Sequence, residues 1–358
     1  MTMKTHPKAL DLTQTIEWVK SLGLEPYRAK QIRNWVFKRL ASSFQEMTDI
    51  SKPTRNLLDT HATLKHLEAV ETLESSDGTR KYLFRLEDGL HIESVLIPER
   101  DHFTLCISSQ AGCAMGCKFC LTAKGGLKRN LSASEIVDQV VVVKRDLEAS
   151  PGSSNEHLPL RNIVLMGMGE PLLNYRSVIQ ALRNLMAEDG MNFSHRKITL
   201  STCGIVPKIQ TLSRDVTVNL AISLNATTNE ARDYLMPINH KFPLRALIQT
   251  CRDLPLPNRR MITFEYVLIK GVNDSLQDAK RLVSLLKGIR AKVNLIPLNP
   301  HPDLDLTPSP WDKILRFQEV LVSNHITAII RKSKGADIMA ACGQLAGGHA
   351  KVQTGQAL

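Results

Sequence analysis

The sequence predicts an α/β protein in which a β/α barrel, complete or partial, follows a small helical module. From about residue 103 onward, strand-like apolar runs alternate with amphipathic stretches, as parallel strands with crossover helices require. The first sixty or so residues instead hold apolar positions at helical spacing. No GxGxxG fingerprint follows the first strand of the alternating region, which favours a barrel over a doubly wound sheet.

The N-terminal part divides into helices and a short β region. The segments TQTIEWVKSLGL and AKQIRNWVFKRL carry the helical spacing, so residues 1–60 form a predicted helical domain. The stretch RKYLFRLEDGLHIESVLI alternates between apolar and polar residues, and Asp77-Gly78 and Asp88-Gly89 supply turn signals. Residues 61–98 are therefore predicted to form a β-hairpin linker.

Residues 99–335 form the predicted barrel core, and residues 336–358 a C-terminal segment. Ser132 and Glu135 make a capping box, which places a helix start between the first two strands. Helices are predicted near 133–147, 176–188, 244–253, 275–288 and 311–322. The predicted strands are FTLCIS, NIVLMG, KITLST, VNLAISL, TFEYVLI, KVNLIPL and ITAIIR.

The charge balance favours a polyanionic partner. The chain of 358 residues has 46 Lys and Arg against 35 Asp and Glu, a formal net charge of +11, and nucleic acid is the natural candidate. No stretch approaches the roughly 18 apolar residues of a membrane span, and the N-terminus lacks the apolar core of a signal peptide. We therefore expect a cytoplasmic protein with no membrane partner.

Three of the seven cysteines lie within eight residues and suggest a metal site. Cys113, Cys117 and Cys120 follow the first barrel strand with CxxxCxxC spacing, where β/α barrels place reactive groups. Three thiolates can hold three irons of a 4Fe–4S cluster and leave the fourth iron open to a small molecule. A zinc site completed by Cys106 or by a histidine is the alternative.

A second motif follows the next barrel strand. In Gly167-Met168-Gly169-Glu170-Pro171, the glycines permit close backbone approach to a ligand, and Glu170 can accept hydrogen bonds from an ammonium group. A plain turn is the simpler interpretation. The position on the same barrel face as the cysteines favours a role in binding.

Together these motifs give the chain a family resemblance. It resembles the radical S-adenosylmethionine (SAM) superfamily, whose fold is a partial (β/α)6 barrel, and more closely the RNA adenine-C2 methyltransferase family RlmN. The related Cfr family modifies carbon 8 instead, and Pro171 with the following LLN favours RlmN. The segments that carry this resemblance are ISSQAGCAMGCKFC, GMGEPLLN, STCGIVP, MPIN, VNLIPLNP and AACGQLAGG.

The resemblance implies a 4Fe–4S cluster on the three cysteines and two SAM molecules per turnover. Many relatives have histidine where this chain has Asn225, so a hydrogen bond to SAM is retained there but a titrating role is not expected. Cys203 and Cys251 match no functional position and are expected to be structural. The implied SAM contacts are Gly169, Glu170, Ser201, Ser223, Leu224, Asn225 and Asn299.

The resemblance also implies three catalytic residues. Cys342 receives a methyl group from the first SAM, and the second SAM supplies the radical that removes a hydrogen atom from that methyl group. The resulting carbon adds to adenine C2, Glu93 accepts the C2 proton, and Cys106 releases the product by forming a disulfide with Cys342. Taken without the resemblance, Glu93 would be interpreted as an ordinary surface carboxylate.

The implied substrates are an adenosine in the peptidyl-transferase centre of 23S rRNA and the adenosine beside the anticodon of some tRNAs. An external electron donor such as flavodoxin is the implied redox partner. The N-terminal domain would be helix-hairpin-helix-like and handle RNA, with the basic residues of 27–39, Arg33 among them, as phosphate contacts. Carbon-8 methylation, a radical SAM enzyme acting on a non-RNA substrate, and a zinc-stabilised RNA-binding protein are the alternatives.

Overall fold

The computed structural model describes residues 4–149 and 158–347. The C-terminal part of the predicted 336–358 segment, from residue 348 onward, lies outside the described residues. Within the described part of the chain, a ten-stranded sheet runs through the molecule, and a two-stranded sheet stands beside it.

The N-terminal domain consists of three helices, α1 (Leu12–Ser21), α2 (Arg28–Phe37) and α3 (Lys52–His61). α1 begins at Asp11, whose carboxylate accepts from the Gln14 backbone N–H while the Gln14 side chain accepts from the Asp11 backbone. The predicted helical domain is thus present. Its apolar faces form one core with the first barrel helix and the start of the sheet.

The predicted hairpin is a three-stranded antiparallel meander that extends the barrel sheet. β1 (Glu68–Glu74), β2 (Arg80–Arg85) and β3 (His91–Pro98) pair in sequence, and the two Asp-Gly turns join them as predicted. β3 also pairs antiparallel with β4, the first barrel strand. The segment is therefore an integral edge of the sheet in addition to linking the two domains.

The barrel is built from parallel strands that match the predicted runs. They are β4 (Phe103–Cys106), β7 (Leu160–Leu165), β8 (Ile198–Thr202), β9 (Asn219–Ser223), β10 (Ile262–Leu268), β11 (Ala291–Pro297) and β12 (Thr327–Ile330). Six of these strands are followed by helices, which gives the predicted partial (β/α)6 arrangement, and β12 adds a seventh parallel strand. Among the described strands β12 pairs with β11 and not with β4, so the barrel is open on that side.

The helices outside the barrel include two that the sequence pattern did not predict. The predicted ones are α5 (Ala133–Ala149), α6 (Tyr175–Met186), α9 (Leu244–Asp253), α10 (Leu276–Leu286) and α11 (Trp311–Ser323). The two additional ones, α7 (Val206–Asp215) and α8 (Asn229–Leu235), are short. A further short helix, α4 (Leu121–Lys124), follows the cysteines, and the strands β5 (Gln110–Gly112) and β6 (Leu127–Asn130) enclose this region.

Buried ionic contacts fix the N-terminal domain to the barrel. Lys8 Nζ lies 2.6 Å from Asp138 Oδ1 on α5, and both side chains are almost fully buried. Asp138 also accepts from His66 Nδ1 at 2.8 Å and from the Leu67 backbone N–H. Burial acts to raise the pKa of Asp138, but Lys8 and His66 outweigh it and hold that pKa below its usual range.

Arg33 forms a second buried contact and corrects a prediction. Its guanidinium is 1% exposed, pairs with Asp189 and donates to the Asn184 side chain and the Leu10 carbonyl. Arg33 therefore cannot contact phosphate as part of an exposed basic face. Its contacts with Asp189 and Asn184 hold α2 against the barrel.

We expect Asp138→Asn to lower the free energy of unfolding by about 3–5 kcal/mol, because it leaves Lys8 buried without a counter-charge. Chemical denaturation followed by circular dichroism measures the change. Glu148→Gln is the matched control on the same helix, since its contact with Lys144 is 3.9 Å long and largely exposed and contributes less than about 1 kcal/mol. Equal effects of the two substitutions would contradict the role of Lys8–Asp138.

Candidate active site

A cavity opens at the C-terminal ends of the parallel strands. This is the face on which β/α barrels carry their active sites. Segments that follow β4, β7, β8, β9 and β11 contribute to its wall, as does β10 itself. Of the predicted site residues, it brings together Cys113, Cys117, Cys120, Gly169, Glu170, Ser201, Ser223, Asn225, Asn299 and Cys342.

The three predicted metal ligands line one side of this cavity. All three lie on the loop between β5 and α4. Cys120 is close enough to Cys113 and Cys117 to contribute to the raised pKa of each. Burial is the largest cause for both and raises the pKa of Cys113 to about 11. Within residues 4–149 and 158–347, no three His, Cys, Asp or Glu side chains converge to hold a single metal ion. In a 4Fe–4S cluster each thiolate binds a different iron, so three thiols on one wall suit the cluster without converging.

The GMGEP segment forms the adjacent wall and is closely packed. Glu170 is 3% exposed, and its two carboxylate oxygens accept the backbone N–H groups of Leu172 at 2.9 Å and Cys203 at 2.7 Å. Burial raises the pKa of Glu170 against the effect of these hydrogen bonds. The side chains of Cys203 and Thr202 also donate hydrogen bonds to this carboxylate and act to lower its pKa, so much of its accepting capacity is used within the protein.

Gly169 is required by its surroundings. Its φ of +100° lies in a region that favours glycine, and a Cβ atom there would lie 2.5 Å from the Cβ of Gln110. The Gln110 side chain in turn accepts from the Glu170 backbone N–H at 2.8 Å. The segment after β4 and the GMGEP segment after β7 are thus held in contact at the C-terminal ends of these strands.

Of the two predicted SAM contacts that follow β9, Asn225 lines the cavity and Leu224 does not. Asn225 lines the cavity with a φ of +56°, a conformation that asparagine tolerates better than most residues. Its Oδ1 accepts from the Val267 backbone N–H at 2.8 Å, so part of its hydrogen-bonding capacity is used within the protein. Leu224 is fully buried and is not among the residues that line the cavity.

The C-terminal segment brings Cys342 back to the cavity. Asn299 donates to the Cys342 carbonyl at 3.0 Å, the Leu121 N–H donates to the Gly343 carbonyl at 2.8 Å, and the Thr122 hydroxyl donates to the Leu345 carbonyl at 2.6 Å. These contacts tie the segment to the helix that follows the cysteine loop. Asn299, which sequence reasoning assigned to SAM, therefore also positions Cys342.

The thiol of Cys342 faces the cavity. The residue counts as exposed, but this exposure is to the cavity that it lines, and burial of the thiol by the surrounding protein raises its pKa to about 11. Cys106 is buried, and after burial the proximity of Cys342 is the next cause that raises its pKa. The two thiols are therefore near one another. All seven cysteines are free thiols, and the implied disulfide is not formed in this structure.

Glu93 is buried, so its interpretation as a surface carboxylate is wrong. It is 1% exposed and lies 3.2 Å from Lys81 Nζ, which is itself buried. Its Oε2 accepts the backbone N–H groups of Ala346 and Gly347 at 2.7 and 2.9 Å. Glu93 thereby contacts the segment that carries Cys342.

Sequence reasoning missed Glu265, which lines the cavity between Ser201 and Ser223. Its Oε2 accepts from the hydroxyl groups of these serines at 2.8 and 3.4 Å, and burial raises its pKa. The signal was one acidic residue in the otherwise apolar strand TFEYVLI. Such a residue, on a strand covered on both faces, indicates a polar site.

Two family descriptions match the chain. Residues 8–64 match "Ribosomal RNA large subunit methyltransferase N-terminal domain", and residues 107–283 match "Radical SAM superfamily". A protein of Geobacter sulfurreducens named "Dual-specificity RNA methyltransferase RlmN" is 54% identical over 95% of this chain and 91% of its own length. The chain belongs to the RlmN family.

A second RlmN-family protein and a solved structure are also similar to the chain over nearly its whole length. A relative of the same name from Geotalea uraniireducens is 51% identical over 96% of this chain and 97% of its own length. The crystal structure of a radical SAM methyltransferase from Sphaerobacter thermophilus superposes with a TM-score of 0.88, at 44% identity, over 94% of this chain and 98% of that one. The predictions of the RlmN family and of a radical SAM methyltransferase fold are confirmed.

Membership of the radical SAM superfamily implies a 4Fe–4S cluster and SAM. The cavity fits them, since three thiols occupy one wall and polar groups from four strand ends line the others. Among the described residues, no helix is long and apolar enough to cross a membrane.

We expect Gly169→Ala to destabilise the protein by about 1–3 kcal/mol more than Gly271→Ala, because a methyl group at residue 169 overlaps Gln110. Gly271 is the matched control: it has a φ of +73° and open space around it, so its substitution reports the backbone strain alone. Chemical denaturation measures the difference, and calorimetry measures SAM affinity, which we expect only Gly169→Ala to lower. Equal changes in both variants would contradict the close contact.

Proposed function

We propose that this protein methylates carbon 2 of adenine in RNA, through a methyl group carried on Cys342. The observation that carries the proposal is that Cys342, far from the cysteine loop in sequence, lines the same cavity as Cys113, Cys117 and Cys120. The relatives' name, dual-specificity RNA methyltransferase, supports RNA as the substrate. An adenosine of 23S rRNA and the adenosine beside the anticodon of some tRNAs are the proposed targets.

The electronic structure of the base explains why a carried methyl group is needed. Carbon 2 of adenine lies between two ring nitrogens and is electron-poor, so it cannot attack the methyl group of SAM directly. The 4Fe–4S cluster and SAM, when bound, would supply the one-electron chemistry that removes a hydrogen atom from an unactivated carbon. Cys113, Cys117 and Cys120 would hold the cluster, and Gly169, Glu170, Ser201, Ser223, Asn225 and Asn299 would surround SAM.

Cys342 is proposed to act as the methyl carrier. Its sulfur accepts the methyl group of one SAM and loses the thiol proton, and the carbon of that group later forms a bond to adenine C2. Support comes from the three contacts that fix its segment, through Asn299, Leu121 and Thr122. A carrier must return to the same place for both transfers, and these contacts restrict its position.

Cys106 and Glu93 are proposed to complete the reaction. The Cys106 thiolate attacks the Cys342 sulfur, so an S–S bond forms as the S–C bond to the product breaks, and the freed electron pair is protonated to leave a methyl group. Before that attack, Glu93 accepts the proton that leaves C2, and the odd electron that remains on the adduct is returned to the one-electron carrier that supplied it. The proximity of Cys106 to Cys342 supports the first role. The contact of Glu93 with residues 346 and 347 supports the second.

We expect Cys342→Ala to abolish RNA methylation while leaving cluster content and reductive SAM cleavage intact, because only the carrier is lost. Cys106→Ala is expected to stop turnover after the carbon–carbon bond has formed, so that RNA remains covalently attached to the protein. Denaturing gels with labelled RNA and mass spectrometry of digested nucleosides distinguish these outcomes. Cys251→Ala is the control, since Cys251 is buried in α9 and does not line the cavity.

RNA methylation that persists in Cys342→Ala would contradict the carrier. The same mass spectrometry identifies 2-methyladenosine in rRNA and tRNA when cells with and without the gene are compared. A product methylated at carbon 8 would contradict the proposed position of methylation and leave the RNA substrate in place.

We expect Glu93→Gln to reduce RNA product formation by at least about 100-fold, because the amide cannot accept the C2 proton. Methylation of Cys342, measured by peptide mass spectrometry, is expected to continue. Lys81→Met is the matched control, because it breaks the same buried ion pair and keeps the carboxylate. A comparable loss of product in both variants would indicate that the ion pair, and not the proton acceptor, matters.

A further inference from the structure

Arg232, on α8, is an unusual buried charge beside the cavity. It is 0% exposed, yet its guanidinium donates only to uncharged oxygen atoms. These acceptors are the carbonyls of Cys203 at 2.7 Å, Leu224 at 3.1 Å and Ser223 at 3.3 Å, and the side-chain Oδ1 of Asn239 at 3.1 Å. Three of the four lie at the ends of β8 and β9, where the cavity wall begins.

The guanidinium has no carboxylate in direct contact. Among the ion pairs within residues 4–149 and 158–347, none includes Arg232. Asp233 contacts it only indirectly, since its Oδ1 accepts from Asn239 Nδ2 at 2.7 Å. Burial lowers the pKa of Arg232, because a buried cation without a counter-charge is unfavourable. A nearby anion would remove that penalty.

The helix that carries Arg232 supports the cysteine loop. The backbone N–H of Lys118 donates to the carbonyl of Leu235 at 3.0 Å, and the Lys118 side chain lies over the Tyr234 ring. Arg232 and Leu235 are three residues apart on α8 and so share a helix face. The positive charge of Arg232 also acts on the Cys117 thiol, where it opposes the effect of burial on the pKa.

We propose that Arg232 is the buried counter-cation of the cluster held by Cys113, Cys117 and Cys120, and that it makes the cluster easier to reduce. This inference rests on the proposed role of these cysteines. A cluster bound by three thiolates is negatively charged, and reduction by one electron increases that charge. A fixed cation in a low-dielectric environment stabilises the reduced form more than the oxidised form, and so raises the reduction potential. Arg232 thus acts on the cluster through its charge and is not a catalytic residue.

The test compares Arg232→Met with Arg232→Lys in full-length protein reconstituted anaerobically with iron and sulfide. Methionine removes the charge at similar length, whereas lysine keeps the charge and loses most of the hydrogen bonds. The cluster is titrated with dithionite and followed by electron paramagnetic resonance, without RNA or SAM, and iron content is measured in each sample. We expect the midpoint potential to become more negative in Arg232→Met and to stay close to wild type in Arg232→Lys.

A second variant keeps the guanidinium in place, in case Arg232→Met does not fold. Combining Asp233→Asn with Asn239→Asp preserves net charge and moves a carboxylate directly onto Arg232. We expect this exchange also to make the midpoint more negative, because the cation is then neutralised. Arg33→Met is the control, since Arg33 is 1% exposed and is paired with Asp189 at the N-terminal junction. Its substitution is expected to lower stability without moving the midpoint.

The outcomes separate this inference from the proposed function. Wild-type protein that binds no cluster would contradict the proposed function. Equal cluster content and equal midpoints in wild type and Arg232→Met would contradict only the role of Arg232. Equal shifts in Arg232→Met and Arg232→Lys would assign the effect to lost hydrogen bonds and overturn the electrostatic inference, as would an unchanged midpoint in the Asp233/Asn239 exchange.

Discussion

The return of the C-terminal segment onto the cysteine loop is the constraint on which the site depends. Cys342 follows the last barrel strand, and nothing local to its sequence would direct it into the cavity. Backbone and side-chain hydrogen bonds from Leu121, Thr122 and Asn299 hold it there, and Glu93 holds the residues that follow. Three separate parts of the chain must therefore be folded before Cys342 lines the cavity.

The meander of β1–β3 helps to hold the C-terminal segment in place. It continues the barrel sheet beyond β4 and brings Lys81 and Glu93, as a buried ion pair, against the segment that carries Cys342. A buried pair of this kind is weak support for stability, because desolvation offsets the attraction between the charges. Its value here is positional: Oε1 pairs with Lys81, while Oε2 accepts from two backbone N–H groups of one segment.

The sequence predicted the barrel because parallel strands buried on both faces have apolar runs, and each predicted run became a strand. Of the site residues that the motifs and the family resemblance indicated, ten line the cavity, and Leu224, Cys106 and Glu93 do not. The sequence pattern missed α8, whose seven residues are too few for a helical period to be recognised, and α7, which buries only Ile209 and Leu212. The burial of Arg33 and Arg232 was beyond its reach for another reason: burial of a charge depends on partners from distant segments, which no local pattern encodes.

The N-terminal junction has one further consequence. Because the buried side chains of Lys8 and Arg33 are anchored to the barrel, the helical domain has a defined separation from the cavity. A ligand that contacts both the helical domain and the cavity must span that separation.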